Sequence, residues 1–129
     1  MALTQDMGEP VRILRVISRL NIGGPGQQAI WLSAALQDGR FTTLLVTGRP
    51  DPTEGSLEDL AAQHHVSLVM IPELGRAIHP FKDPIALIKL VRVAWAFRPD
   101  IIHTHMAKAG TLGRLAGLLY NRFHRTRRC

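Results

Sequence analysis

The chain has 129 residues, 46% of them hydrophobic and 20% charged, with a net charge of +6. That length and apolar content suit a single folded domain with a real core, and disorder is not the default. The one cysteine, Cys129, excludes an internal disulfide framework and a cysteine-based metal site, and a reducing compartment is the easier reading.

Residues 1–10 read as a loose leader. They lack both a basic start and an apolar stretch, so they do not read as a signal peptide. No apolar run reaches the ~18 residues that a membrane span needs. A strand, Val11–Ser18, is followed by the glycine cluster Gly23-Gly24-Pro25-Gly26 and a helix over Gly26–Asp38. Gly24 caps this helix in the sequence reading, with Pro25 at its first position. Strand, glycine turn and helix form the opening unit of a parallel α/β sheet, and such a turn aims unpaired N–H groups at anions, phosphates above all.

The second strand is Phe41–Thr47, and Gly48–Gly55 is a loop at the carboxyl edge. Ser56-Leu57-Glu58-Asp59 has the form of a capping box opening a short helix to His64. Val66–Ile71 is the third strand. Pro72–Lys82 is a second carboxyl-edge loop, with Glu73, Arg76 and His79. Asp83 caps the next helix, whose broad apolar face runs to Phe97 and stops at Arg98-Pro99. Asp100–His103 is the fourth strand. The last helix, Ala109–Phe123, carries Gly110, Gly113 and Gly117, a small-residue surface that implies close backbone approach.

Four alternations of strand and helix predict an α/β fold: a Rossmann-like parallel sheet of order 3-2-1-4 with helices on both faces. In that order the first and fourth strands are neighbours while their helices leave to opposite faces. A ligand crevice then opens between their carboxyl ends. Asn21, Ile22, Gly23 and Gly24 line one side of it, and His103, Thr104, His105 and Lys108 the other.

His103-x-His105 has three open readings: a metal pair awaiting further ligands, a structural core histidine, or a pair meeting a sugar hydroxyl or phosphate beside the glycine turn. His64 and His65 lie far from this edge and read as solvated. Arg76 and His79 read either as substrate contacts or as exposed loop charges. Ser18, His103 and Asp100 do not form a triad, because Ser18 lacks an elbow context and Asp100 is at the wrong end of its strand.

Residues 1–100 hold equal numbers of basic and acidic side chains, so the whole positive excess falls after Asp100: Lys108, Arg114, Arg122, Arg125, Arg127 and Arg128. This basic end suits either a solvated helix terminus or an anionic membrane surface. No aromatic run accompanies it, which argues against nucleic acid.

Three patches then converge: Arg15–Gln28, Pro72–Asp83 and Arg98–Arg114, the last containing Pro-Asp-Ile-Ile-His-Thr-His-Met-Ala-Lys-Ala-Gly. In order and content they resemble the N-terminal domain of family 4 glycosyltransferases, retaining enzymes of GT-B architecture. The resemblance implies a hexosyltransferase-type enzyme that uses a nucleotide-sugar donor, needs no further cofactor, and builds polysaccharide, glycolipid or a similar conjugate in the cytoplasm, peripheral to the inner membrane face. It implies acceptor binding by this domain, with Gly23 and Gly24 facing the donor's phosphates and His103, His105 and Lys108 lining the cleft. Candidate substrate-binding residues are therefore Asn21, Gly23, Gly24, Gln27, Arg76, His103, His105 and Lys108; no catalytic residue and no metal ligand is assigned.

The family's second domain carries two glutamates eight positions apart, and no two glutamates here have that separation. The family's first domain also continues past this point. Residues 11–123 thus read as an incomplete acceptor-side domain and 124–129 as a basic tail at the truncation point, with a missing C-terminal domain as partner and no activity expected of the chain alone. Two other readings stay open. Gly24-x-Gly26-x-x-Ala29 fits a dinucleotide fingerprint, with Arg49 suited to a 2′-phosphate, although the acidic residue expected after the second strand is absent. A non-catalytic anion-binding module using the basic tail is the other.

Overall fold

The computed structural model describes residues 9–49, 53, 55–75 and 78–123. Arg76, and the tail with Arg125, Arg127, Arg128 and Cys129, lie outside the described residues. Eight elements alternate: β1 (Val11–Ile17), α1 (Gly24–Ala35), β2 (Phe41–Thr47), α2 (Glu58–Gln63), β3 (Leu68–Met70), α3 (Lys82–Phe97), β4 (Ile101–His105) and α4 (Ala107–Phe123). The four strands form one sheet in the order β3-β2-β1-β4, the expected doubly wound order, and every pairing is parallel.

β1 is central, paired with β2 along its whole length and with β4 from Ile13 to Ile17. Its run from Ile13 to Ile17 is buried on both faces, as a near-continuous apolar parallel strand should be. Two apolar clusters flank the sheet. Leu14, Val16 and Val46 pack with Leu90, Ala94, Leu112 and Tyr120 beneath α3 and α4. Ile17 and Leu45 pack with Leu20, Ala29, Ile30 and Ala61 beneath α1 and α2. Helices α1 and α4 therefore leave β1 and β4 on opposite faces. The glycines of α4 bear out the close approach: a Cβ on Gly113 would meet Thr104 Cγ2 at 2.5 Å, and one on Gly117 would meet Ile102 Cδ1 at 3.5 Å.

Several boundaries differ from the sequence reading because side chains compete for the backbone. Helix α1 ends at Ala35 rather than Asp38, since Asp38 Oδ1 accepts the N–H of Arg40 and of Phe41 at 2.8 and 3.2 Å. Its cap is Gly23, not Gly24. The box at Ser56 is only half made: Ser56 Oγ accepts the Glu58 N–H, and Leu57 is the cap residue. β3 shrinks to three residues because it pairs only with Leu45–Thr47 of β2. The cap residue of α3 is Phe81, not Asp83. His79 Nδ1 accepts the N–H of Phe81 and Lys82, while Asp83 Oδ2 reaches back to the His79 N–H at 3.0 Å. β4 runs on to His105, and Met106, at φ 73°, turns the chain sharply into α4. Trp31 and Trp95 are each about half exposed (55% and 51%), less buried than their apolar neighbours suggest.

Candidate functional site

The loop after β1 is fastened before it reaches the glycines. Ser18 O accepts the Gly48 N–H, and Leu20 O accepts the Leu57 N–H. Gly48 must be glycine, because a Cβ there would lie 1.5 Å from Leu74 O. Gly26 must be too: its Cβ would meet Asn21 O at 2.8 Å and Leu57 Cδ1 at 2.9 Å. This tight closure starts α1 at Gly23, whose carbonyl accepts the Gln27 N–H at 3.1 Å. No side chain caps α1 and no acidic residue sits in its first turn. Its leading N–H groups and the positive end of its dipole thus face outward at exposed Gly24. Asn21, Gly23, Gly24 and Gln27 come together here, with half-buried Asn21 beside Gly23.

Across the crevice, Ile17 pairs with His105, so His105 reaches the same carboxyl edge. Ser18, buried at the end of β1, accepts the Ala109 N–H on its Oγ at 3.0 Å and so anchors the start of α4. That is a structural role which the exclusion of a triad left unassigned. Arg19 Nη1 approaches Met106 Sδ at 3.8 Å and bridges the two loops.

His103 sits two residues back from that edge. It lines an open groove of about 670 Å³ along the free side of β4, with Thr104, Gly113, Arg114, Leu118 and Asn121. Its Nδ1 accepts a hydrogen bond from Arg15 Nε at 3.2 Å. Arg15, 2% exposed in the middle of β1, also donates from Nη1 to Ser33 Oγ at 2.8 Å, and Thr43 Oγ1 donates to Ser33 O. The His103 and His105 rings lie 4.5 Å apart at 51°. Burial and the Arg15 charge push the His103 pKa down; burial, His103 and Arg15 do the same to His105. Both imidazoles are therefore neutral near pH 7. His105 Nε2 is buried, and no hydrogen-bond partner for it lies among the described residues.

Lys108 stands apart from the glycine turn. Its side chain is 9% exposed, and Nζ pairs with Asp83 Oδ1 at 2.7 Å, joining the starts of α3 and α4. Burial opposes the Asp83 carboxylate, but Lys108 and the His79 N–H outweigh it and hold its pKa below the usual range. The pair borders a cavity of about 340 Å³ lined by Ile78, Ala107, Thr111 and Leu112. His79 Nδ1 accepts the first N–H groups of α3, and His64 and His65 are exposed. Among the described residues no three His, Cys, Asp or Glu side chains gather at one point. The residue that the sequence reading missed is Arg15. Its signal was a cation inside a β-branched central strand, opposite a histidine in the predicted neighbour.

The family model described as a glycosyl transferase 4-like domain matches residues 23–127. The UDP-Gal:alpha-D-GlcNAc-diphosphoundecaprenol alpha-1,3-galactosyltransferase of Escherichia coli is 33% identical over 84 residues, covering 65% of this chain and 20% of that enzyme. The crystal structure of MurG from Acinetobacter baumannii shares the fold with a TM-score of 0.65 at 19% identity, over 85% of this chain and 32% of that one. The chain thus spans about a fifth of the galactosyltransferase and a third of MurG. An NAD(P) domain is not favoured: Gly26 is explained by packing against Asn21 and Leu57, and the match is to transferases. The chain belongs to the glycosyl transferase 4-like family, with the Rossmann-like sheet of the N-terminal half of a GT-B enzyme.

Proposed function

We propose that this chain is the acceptor-side domain of a retaining glycosyltransferase that moves a sugar from a nucleotide-sugar donor to a lipid-linked or polysaccharide acceptor. The observation that carries the proposal is the uncapped start of α1, held open by the Gly26 closure and set across the β1–β4 crevice from His105. Donor phosphates meet the α1 N–H groups, and acceptor oxygens meet the histidine side. The E. coli relative's name supplies a precedent for a nucleotide-sugar donor and an undecaprenyl diphosphate acceptor. Amide-shift mapping with UDP-galactose tests this: shifts at Gly23, Gly24 and Gln27 support it, and micromolar NADPH binding there with no UDP-galactose response overturns it. The 129-residue chain alone turns over no nucleotide sugar, since the donor contacts of a GT-B enzyme lie mostly in a second domain; measured transfer by it sinks that part.

The acceptor's lipid places the domain at the inner face of an anionic membrane in this reading. Helix α3 exposes Ile85, Ile88 and Trp95, and Trp95 shares a groove with Arg92 and Phe123 of α4. Exposed apolar side chains beside Lys82, Arg92 and Arg122 suit lipid with anionic headgroups. Among the described residues no helix is long and apolar enough to cross a membrane. Cosedimentation with phosphatidylglycerol vesicles that weakens with salt and in Trp95→Glu is the expected result; equal binding to neutral vesicles, or none, removes the membrane from the reading.

A further inference from the structure

Arg15 is a buried guanidinium whose hydrogen-bond partners among the described residues are neutral: His103 Nδ1 at 3.2 Å and Ser33 Oγ at 2.8 Å. A guanidinium has donors and no acceptor, and it does not lose its charge in a protein. The His103 nitrogen facing Arg15 Nε–H must therefore be the lone-pair nitrogen, and a proton cannot be added to it without breaking that bond. Ser33 fixes the other end of the fork. Ser33 is itself placed by α1 and by Thr43 Oγ1 of β2, so the arginine cannot swing away freely. The remaining nitrogen of His103, Nε2, carries the hydrogen and belongs to an exposed residue bordering the groove along β4.

We infer that Arg15 is a positioning residue that locks His103 as the neutral Nε2–H tautomer, so that His103 presents a fixed hydrogen-bond donor beside the open edge of β4 and does not work as a general acid or base. Arg15 lies on β1, His105 follows two residues on along β4 with its ring 4.5 Å away, and Arg114 and Asn121 of α4 border the same groove. The Arg15 charge opposes a second cation at His103. A permanent N–H donor takes an oxygen acceptor, a sugar hydroxyl or a phosphoryl oxygen. That role rests on the transferase reading, whereas the lock itself does not.

Long-range ¹H–¹⁵N correlation of the imidazoles in the full 129-residue chain tests the lock without any ligand. The His103 signals are identified by their loss in His103→Gln. The expected wild-type spectrum shows a lone-pair Nδ1 and a protonated Nε2, unchanged as pH falls through the ordinary histidine midpoint near ~6.5. Arg15→Lys keeps a cation but loses the planar fork; His103 then shows mixed tautomers. Ser33→Ala, a gentler change, shifts the tautomer ratio in the same direction. A wild-type His103 that carries its hydrogen on Nδ1, or that titrates at the ordinary midpoint, overturns the inference whether or not any sugar is ever bound. An intact lock with no nucleotide-sugar response retains it and counts only against the proposed function.

Discussion

Arg15 is a buried cation and Lys108 a mostly buried one, one on each face of the sheet, and they differ in what surrounds them. Lys108 closes the α3–α4 face, where the core of Leu14, Val16, Leu90, Leu112 and Tyr120 is otherwise apolar, and it meets the carboxylate of Asp83. Arg15 lies on the α1 face among Ser33, Thr43 and His103, and its hydrogen-bond partners among the described residues are neutral. A buried opposite-charge pair fastens two helices together, whereas a buried cation that meets only an imidazole and a hydroxyl orients those groups instead. The first arrangement serves architecture; the second, in the proposed reading, serves a site.

The same substitution at both positions separates the two roles. Lys108→Met leaves the Asp83 carboxylate, mostly buried, without its counter-charge. Breaking such a pair from one side costs about 3 kcal/mol or more. Arg15→Met exchanges a desolvated charge for apolar volume and strands no opposite charge, so the expected cost is about 1 kcal/mol or less. Urea midpoints read both. Equal losses for the two variants mean that Arg15 is as structural as Lys108, and the contrast collapses.

A smaller effect separates two glycines of α4. Gly113→Ala drives a Cβ to 2.5 Å from Thr104 Cγ2, and overpacking of this kind costs ~1–3 kcal/mol. Gly117→Ala makes only an ordinary 3.5 Å contact with Ile102 and gains helix propensity, so it stabilises by up to ~1 kcal/mol. Opposite signs in thermal melts of the two variants show that α4 is seated on β4 at Thr104.

The strand order and the glycine turn were legible in the sequence because each rests on local signals: β-branched runs, a Gly-Pro-Gly cluster, and helices bounded by Asp-Gly or Arg-Pro. Site geometry depends instead on which face of a strand meets which neighbour. His103 and Lys108 share a patch of sequence, yet the β1–β4 register sends His103 to Arg15 on one face, while α4 turns Lys108 to Asp83 on the other. The displaced helix boundaries have a similar cause. Ser18, His79 and Asp38 each take backbone N–H groups with their side chains, and nothing in hydrophobic periodicity reports that competition.

The smallest expected effect is on pH dependence, and between pH 8 and 5 it centres on the Arg15 face. His103 and His105 have folded pKa values lowered by burial and by neighbouring charge. Above ~6.5, the unfolded value, both are neutral in both states and contribute no pH dependence. As pH falls below that point the unfolded chain takes up protons that the folded chain refuses, so stability drops until the folded midpoints are reached. Asp83 and Glu73, with lowered pKa values, act in a separate and more acid window, losing their contribution only as pH falls below the ordinary carboxylate value near ~4. A stability profile from pH 8 to 5 therefore isolates the histidine face. It should slope downward from about pH 6.5 in the wild type, less steeply in Arg15→Met, where the repelling cation is gone, and least in His103→Gln. A profile in which Lys108→Met removes that slope while Arg15→Met keeps it assigns the titration to the wrong face, and the division of labour between the two buried cations fails with it.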